Sequence, residues 1–326
     1  MRWLAFAALL LFAVPARAAD WVADKAWQPH LPAGWTLGEV SGVAVDGQGN
    51  VWVLQRPATA RGRPAPPVIE LDPAGHVLRA WGGKGAGYDW FENEHSIAID
   101  SAGFVWLTGN GTHDGQVLEF TPDGHFVMQI GRPGPAKAAS ADTSRLGRPA
   151  GIDVDRARGD VYVADGYANR RVIVFDLKTG AFRRMWGAYG GRPDDSPHAR
   201  RQFGHPVHCV HLGPDGLVYV CDRQNDRIQV FRPDGHFVRE FHVAPATRGM
   251  GSVWDLAFAA GPAGPRMVVA DGSNERLRVL RPGDGKELGT IAGGFRWVHA
   301  LAVDRAGHLF TGEVRGHRVR RWLPAK

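Results

Sequence analysis

The stretch GDVYVADGYANRRVIVFDLKTGAF, residues 159–182, holds two short runs rich in Val, Ile, Tyr and Phe. Runs of this composition are typical of β-strands, and the Asp, Gly and Asn residues between them are typical of turns. The phrase recurs as GLVYVCDRQNDRIQVFRPDGHF (216–237) and, more loosely, at 49–57, 103–126, 265–285 and 307–322. The chain is therefore built from internal repeats.

A short alternating segment precedes each copy of this phrase. These segments are SGVAVD (41–46), HSIAID (95–100), AGIDVD (150–155), HCVHLG (208–213), WDLAFA (254–259) and HALAVD (299–304). Each unit thus contains four predicted strands, named A to D, and has the roughly 50-residue length of a propeller blade. The last unit ends after its third strand, near 318–322, so a strand within 21–28 is expected to complete it. We predict an all-β, six-bladed β-propeller closed by an N-terminal strand.

The first residues predict export. A positive start at Arg2, an apolar run over 3–14 and an A-x-A motif at 16–18 are the three parts of a signal peptide. Residues 1–18 are expected to be removed, which leaves a single propeller domain over 19–326 that is periplasmic or secreted. The apolar run is short for a bilayer span, and no later segment approaches that length, so no membrane span is predicted.

The composition excludes several classes of protein. Of the 326 residues, 44% are hydrophobic and 22% are charged, which is ordinary for a soluble globular protein. The net charge is +6, but the lysines and arginines are scattered, so no nucleic-acid partner is predicted. Only Cys209 and Cys221 are present. Export would permit them to pair, and the favoured interpretation is two unpaired, buried residues on neighbouring strands.

The start of each A strand is expected at the mouth of the central channel, because A is the innermost strand of a blade. Six residues take this starting position: Ser41, His95, Ala150, His208, Trp254 and His299. The histidines fall on alternate blades, which a three-fold rotation relates, so the three imidazoles are expected to converge. Three neutral imidazoles with an open fourth position form a catalytic zinc site. One such histidine alone would be interpreted as structural, as are the nearby His205 and His211.

The ends of the B strands form a second tier at the same mouth. Arg56 and Arg223 come from opposite blades and are candidates to clamp a carboxylate with forked hydrogen bonds. The alternative for each is a surface salt bridge. Tyr167 follows strand B of the third unit and is a candidate general base beside a cation or metal. Its alternative is a half-buried aromatic residue at the rim.

The repeat resembles NHL repeats, and residues 36–326 resemble more narrowly the peptidyl-α-hydroxyglycine α-amidating lyases, a family of six-bladed propellers. The matching stretches are LGEVSGVAVD (37–46), YVADGYANRRVIVF (162–175), QFGHPVHCVHL (202–212) and YVCDRQNDRIQVF (219–231). The site residues that the resemblance implies are the zinc ligands His95, His208 and His299, the tyrosine Tyr167, and the arginines Arg56 and Arg223. The implied reaction cleaves the N–C bond of a hydroxylated amide and yields an amide and glyoxylate.

The chain departs from this family beside its last histidine. Trp297 stands where the family has a methionine, and its bulk is expected to reshape the pocket. Ala300 stands where the family has a calcium-binding aspartate, so the family's structural calcium is not expected. The chain also carries no hydroxylase module, which opens the question of its substrate. We expect a monomer that acts on a small molecule or peptide bearing a carboxylate.

Two other functions stay open. A non-catalytic NHL-repeat propeller would bind a protein or glycan partner in the cell envelope, since a propeller fold does not decide function. A propeller lactonase or hydrolase would use axial carboxylates and calcium. The starting positions of the A strands hold no Asp or Glu, so this function ranks below the other two.

Overall fold

The structure, a computed structural model, describes residues 21–135, 139–196, 201–261 and 264–325. The predicted signal peptide over 1–18 lies outside these ranges. Within them the only helices are single 3-10 turns, and none is long or apolar enough to cross a membrane. These turns are Pro57–Thr59, Ala188–Gly190, Arg223–Asn225 and Gly272–Asn274.

All the remaining regular structure is β-strand. The strands up to the middle of the chain are β1 (Trp21–Ala23), β2 (Trp35–Thr36), β3 (Glu39–Val45), β4 (Val51–Arg56), β5 (Arg63–Pro64), β6 (Val68–Leu71), β7 (Val77–Trp81), β8 (Glu94–Ile99), β9 (Val105–Gly109), β10 (Gln116–Phe120), β11 (Phe126–Gly131), β12 (Gly151–Asp155), β13 (Asp160–Asp165), β14 (Arg171–Asp176) and β15 (Phe182–Trp186). The later strands are β16 (Val207–Leu212), β17 (Val218–Asp222), β18 (Arg227–Phe231), β19 (Phe237–His242), β20 (Asp255–Ala259), β21 (Arg266–Asp271), β22 (Arg276–Leu280), β23 (Glu287–Ile291), β24 (Val298–Val303), β25 (Leu309–Glu313) and β26 (Arg318–Pro324).

Most of these strands form six four-stranded sheets, the blades of a propeller. Blade 1 is β3, β4, β6 and β7, blades 2 to 5 are β8–β11, β12–β15, β16–β19 and β20–β23, and blade 6 is β24–β26 with β1. In blade 6, β1 pairs antiparallel with β26, so that Trp21 lies opposite Pro324 and Ala23 opposite Trp322. The predicted six-bladed propeller closed by an N-terminal strand is therefore confirmed.

The hydrophobic core lies between neighbouring blades. In blade 3, strands β13 and β14 are almost wholly buried, while β15 at the outer rim is half exposed. Tyr162 and Val174 of this blade pack with Val210 and Val220 of blade 4. The first and last blades share a cluster of the same kind. Each blade is thus positioned by its neighbours, and so are the inner strands that surround the axis.

The insert over 55–67 has some structure of its own. Within it, β5 pairs in parallel with β2 to form a separate two-stranded sheet. The Gln55 side chain anchors the insert, because its amide donates to the carbonyl of Ala65 at 2.7 Å and accepts from the backbone N–H of Gly38 at 2.7 Å.

The two cysteines are joined in a disulfide, so their interpretation as unpaired residues was wrong. Cys209 on β16 lies directly opposite Cys221 on β17. This register brings the two Cα atoms to 4.8 Å, a separation that a disulfide spans. The sequence placed the two residues on neighbouring strands, but it did not show that they face each other.

Ion pairs with buried carboxylates connect the second and third strands of several blades. The pairs are Asp165–Arg171 at 2.9 Å, Asp222–Arg227 at 2.7 Å, Asp271–Arg278 at 2.7 Å and Glu313–Arg320 at 2.6 Å. In blade 3, Arg171 is fully buried. Its guanidinium also donates to the carbonyls of Ser140, Asp142 and Arg145 at 2.9, 2.5 and 2.5 Å. This arginine therefore ties the loop that enters blade 3 to the blade itself.

Replacing Arg171 with methionine is expected to lower the free energy of unfolding by about 3–5 kcal/mol, because Asp165 would stay buried without its partner. The matched control is R158M, which breaks the pair between Asp155 and Arg158, whose side chain is 52% exposed. That change is expected to cost less than about 1 kcal/mol. Urea unfolding of metal-free protein measures both values. Equal losses for the two variants would contradict the prediction.

Candidate metal centre and channel mouth

The three predicted histidines lie at irregular points of the inner strands. The pairing of β8, β16 and β24 with the next strand skips His95, His208 and His299, respectively. Such a β-bulge breaks the alternation of side chains between the two faces of a sheet and redirects the skipped residue. All three imidazoles thereby leave the interblade core and meet in the channel.

The imidazoles of His95, His208 and His299 form a nearly regular triangle. Their ring centroids are 4.8–4.9 Å apart, with interplanar angles of 70–73°. The nitrogens available as ligands all lie within 4.8 Å of one another. The relative exposures of the three residues are only 1%, 3% and 6%. The structure therefore brings together the three histidines that the starting positions of the A strands predicted to converge.

The backbone of the other three blades orients these rings. Each histidine Nδ1 donates to the carbonyl of the residue at the same starting position in the next blade: His95 to Ala150 at 2.9 Å, His208 to Trp254, and His299 to Ser41 at 2.7 Å. Because a carbonyl only accepts, Nδ1 carries the hydrogen, and Nε2 of the neutral ring keeps its lone pair. Metal-binding histidines are oriented by bonds of this kind.

Burial keeps the three rings neutral. Desolvation is the main cause that lowers the pKa of each imidazole, and the charges of Arg56 or Arg223 act in the same direction. The pKa of His299 falls to about 3. Neutral imidazole is the form that binds a metal. The Nε2 atom of His208 is buried without a hydrogen-bond partner among the described residues, so its lone pair is available. These residues fit a three-histidine zinc site with an open fourth position.

Tyr167 lies directly beside the triad. It follows β13, and its hydroxyl lies 3.0 Å from Nε2 of His95. The ring also contacts His208 edge-on, with the centroids 5.9 Å apart. An Nη atom of Arg223 donates to the hydroxyl at 3.4 Å. The hydroxyl is therefore adjacent to the position that a metal held by the three Nε2 atoms would take.

The two predicted arginines have different surroundings. Arg56 forms an ion pair with Glu39 at 2.7 Å, and its Nε donates to the carbonyl of Glu94 at 2.9 Å. Arg223 is only 6% exposed, and its Nε is buried with no hydrogen-bond partner in the part of the chain that the structure describes. Within the described ranges no carboxylate pairs with Arg223; its guanidinium lies 4.6 Å from the Trp254 ring instead. Only Arg223 of the two thus has an uncompensated charge.

A third arginine at the mouth was missed by the sequence reasoning. The guanidinium of Arg148 lies 5.5 Å from the centroid of the Tyr167 ring, and its Nε donates to the carbonyl of Asn110 at 2.9 Å. Its backbone has a φ of 57°, a conformation that is uncommon for residues other than glycine. Arg148 stands two positions before the start of an A strand, as Trp297 does. A scan of that position would have found it.

The indole of Trp297 is one contact removed from the triad. It packs edge-on against Trp254 at 5.2 Å, and Trp254 in turn contacts His208 at 5.8 Å and His299 at 5.7 Å. The guanidinium of Arg315 covers the Trp297 ring at 3.4 Å. Trp297 therefore extends the aromatic contacts of Trp254 away from the triad, and Arg223 lies against the Trp254 ring of the same cluster.

His205 and His211, which flank His208 in QFGHPVHCVHL (202–212), have structural contacts. His205 accepts a hydrogen bond from Nε of Arg170 at 2.8 Å. His211 lines the channel with the triad, and its Nε2 lies 2.7 Å from a carboxylate oxygen of Asp255. Asp153 lies 3.9 Å from the other nitrogen of His211. A further potential ligand group joins Cys209, His211 and Asp255, but the cysteine sulfur is held in the disulfide.

His211 is expected to make stability fall as the pH rises above about 6.5. Burial opposes its charge, but the carboxylates of Asp255 and Asp153 outweigh that effect and raise its pKa. Because the pKa of His211 is higher in the folded than in the unfolded protein, its contribution to stability is complete below the unfolded-state pKa. This contribution is lost as the pH rises through the folded-state pKa. Burial raises the pKa of Asp153, so Asp153 also makes the stability fall as the pH rises, and its effect begins at lower pH. The pKa values of the triad histidines are lowered, so these residues reduce the stability only as the pH falls.

Urea unfolding of metal-free protein between pH 6 and 9 would test this prediction. The slope is at most about 1.4 kcal/mol per pH unit for one proton. H211Q, which keeps a polar side chain but cannot titrate, is expected to flatten the profile in this range. A slope that is the same in H211Q and the unmodified protein would show that another group titrates.

The chain is similar in sequence to one family of propellers and to several known proteins. Residues 97–252, slightly less than half of the chain, match the family model described as "Lactonase, 7-bladed beta-propeller". Human NHL repeat-containing protein 3 is 29% identical over 320 residues, which cover 92% of this chain and 83% of that protein. Peptidyl-glycine alpha-amidating monooxygenase A of Xenopus laevis is 30% identical over 325 residues, or 89% of this chain and 32% of that protein. Peptidyl-alpha-hydroxyglycine alpha-amidating lyase 1 of Drosophila melanogaster is 28% identical and is covered to 46%.

The resemblance to NHL-repeat and amidating proteins is therefore confirmed. The chain spans about a third of the Xenopus protein, so the activity of that whole protein does not transfer by similarity alone. Among solved structures, virginiamycin B lyase from Staphylococcus aureus aligns with a TM-score of 0.55 and 17% identity, over 89% of this chain and 87% of that one. At this identity the likeness concerns the fold. The described residues form six blades, not the seven of the matching family model.

Proposed function

We propose that the protein is an exported, metal-dependent lyase of the amidating type, which cleaves the N–C bond of a hydroxylated amide to give an amide and glyoxylate. The observation that carries this proposal is the triangle of neutral imidazoles with the Tyr167 hydroxyl 3.0 Å from Nε2 of His95. The similarity to amidating enzymes supports this choice of reaction. The disulfide supports export, because disulfides persist in oxidising compartments.

The histidine triad, Tyr167 and Arg223 each have a role in this reaction. Zinc held by His95, His208 and His299 would supply a Lewis acid for an oxygen of the substrate. Tyr167, when ionised, takes the proton of the carbinol hydroxyl. The C=O bond of glyoxylate then forms while the C–N bond breaks, and the bonding pair goes to the amide nitrogen. The phenol returns its proton to that nitrogen. Arg223 lies beside the tyrosine and balances the negative charge that develops as the C–N bond breaks.

The substrate that we propose is a small molecule or peptide with a carboxylate beside the carbinol carbon. The three-histidine set alone does not choose among reactions, because similar sites serve hydration and hydrolysis as well. The unpaired charge of Arg223 is the feature that favours an anionic substrate. No calcium is part of this proposal, since Ala300 offers no ligand side chain where the resembling family has an aspartate.

Metal analysis and product analysis test the proposal together. The mature protein is expected to contain about one zinc per chain and to release glyoxylate and a peptide amide from a peptide that ends in α-hydroxyglycine. The same peptide ending in glycine serves as the control and is expected to release none. Zinc-loaded protein that yields no glyoxylate would overturn the lyase and leave the metal centre standing. Protein that binds no metal would overturn both.

A non-catalytic propeller is the second candidate function. The specific observation in its favour is that NHL repeat-containing protein 3 matches over most of both chains and is named for its repeat alone. In this case the chain would bind a protein or glycan partner in the cell envelope. Partner capture that is unchanged after replacement of all three histidines, with no glyoxylate release by the unmodified chain, would favour this function over the lyase.

A further inference from the structure

Two arginines, Arg148 and Arg223, lie close to the ring of Tyr167. The guanidinium carbons of Arg148 and Arg223 are 5.5 and 5.8 Å from the centroid of its ring. Neither forms an ion pair with any carboxylate in the described part of the chain. Arg148 is half-buried, and Arg223 is buried with an unpartnered Nε. Two like charges beside one phenol, one of them desolvated, are costly unless an anion completes the arrangement.

We propose that Arg148 and Arg223 form the binding site for the carboxylate of the substrate, and that Arg56 does not take part in it. This assignment rests on the proposed function, because it names the group of the lyase substrate that the two guanidiniums bind. It changes the expectation from the sequence, which paired Arg223 with Arg56. Arg148 is thus a specificity-determining residue that neither the repeat pattern nor the family resemblance identified.

The contacts of Arg148 suit this role. Its Nε donates to the carbonyl of Asn110, while its two Nη atoms have no hydrogen bond to any group of the described residues. Its backbone is held from both sides, since its N–H donates to the carbonyl of Asp114 at 3.1 Å and its carbonyl accepts from the N–H of Tyr167 at 3.3 Å. An arginine anchored in this way presents a preorganised fork of donors, which is the geometry that a carboxylate matches.

Arg56, by contrast, is already committed to protein groups. Its Nη1 is held in the ion pair with Glu39, and its Nε donates to the carbonyl of Glu94, the residue before His95. A substrate carboxylate would have to compete with Glu39 for it. Arg56 therefore acts as a positioning residue for the strand that carries His95.

A pair of ligands that differ only at their terminal group, a carboxylate or a neutral amide, tests the assignment. N-benzoylglycine carries the carboxylate, and N-benzoylglycinamide replaces it with a neutral amide. Titration calorimetry with zinc-loaded protein is expected to show that R148Q weakens binding of the acid by about 10- to 100-fold and leaves binding of the amide unchanged. R148K is expected to retain part of the preference, because it keeps the charge and loses the fork. The control is R145Q on the same loop, where the exposed side chain is replaced and the backbone contact to Arg171 stays.

The same titrations in chelator separate arginine from metal. A preference for the acid that survives removal of zinc, disappears in R148Q and persists in R145Q would support the assignment. A preference that R148Q and R148K retain in full, or one that vanishes with the metal, would overturn it. The test needs no turnover, so its outcome is independent of glyoxylate release. Binding of the acid that depends on Arg148, in protein that releases no glyoxylate, would overturn the proposed reaction and leave the carboxylate site standing.

Discussion

H208A protein is expected to lose its metal and, with it, any metal-dependent activity. The Nε2 of His208 is buried with no partner in the described residues, and its Nδ1 donates to the carbonyl of Trp254, so the ring is already oriented for coordination. Removing one of three protein ligands leaves two, too few for a tightly held zinc. Zinc per chain is expected to fall from about one to less than about 0.1 after dialysis. Atomic absorption measures it.

Stability measurements separate loss of a ligand from loss of the fold. Zinc is expected to raise the melting temperature of the unmodified protein, because a ligand that binds only the folded state stabilises it by mass action. It is expected to leave that of H208A unchanged. H205A, in the same stretch, is the matched control and should keep its zinc, since His205 contacts Arg170 and the carbonyl of Gly166. H208A protein that holds as much zinc as H205A would contradict a three-histidine centre.

Most of the fold could be predicted from local periodicity. Strands with a period of two, turns rich in Asp and Gly, and a spacing near 50 residues left little freedom for any architecture except a propeller. The same register placed His95, His208 and His299 at equivalent positions, and in a closed ring equivalent positions on alternate blades meet. Ring closure by the first strand followed from the missing fourth strand of the last unit. These features depend on repetition, which a single sequence displays.

The finer features of the site depend on contacts between blades, which periodicity does not show. The carbonyls of Ser41, Ala150 and Trp254 orient the histidines, yet backbone groups carry no signal in the sequence. Arg56 and Arg223 take similar positions, but only Arg56 has an acidic residue opposite it, Glu39 on the paired strand. Such pairing depends on side-chain direction at a strand end, where bulges shift the register. For that reason the sequence shows that both residues are charged, but it does not show which of the two is free to bind a substrate.

Y167F is expected to lower kcat by about 10²- to 10⁴-fold, the usual contribution of a positioned acid–base group. The substitution removes only the hydroxyl, and the ring contacts with His95 and His208 remain. Zinc content, and stabilisation by zinc, are therefore expected to match those of the unmodified protein, which distinguishes this variant from H208A.

The control for the tyrosine variant is Y189F. The hydroxyl of Tyr189 accepts from the guanidinium of Arg227 at 2.5 Å, so its removal changes stability without touching the triad. Its kcat is expected to stay within about twofold. Rates of glyoxylate release at saturating α-hydroxyglycine peptide measure both variants. If Y167F kept more than a third of the unmodified kcat, another group would have to take the carbinol proton. The 3.0 Å contact between Tyr167 and His95 would then be a packing contact without a catalytic role.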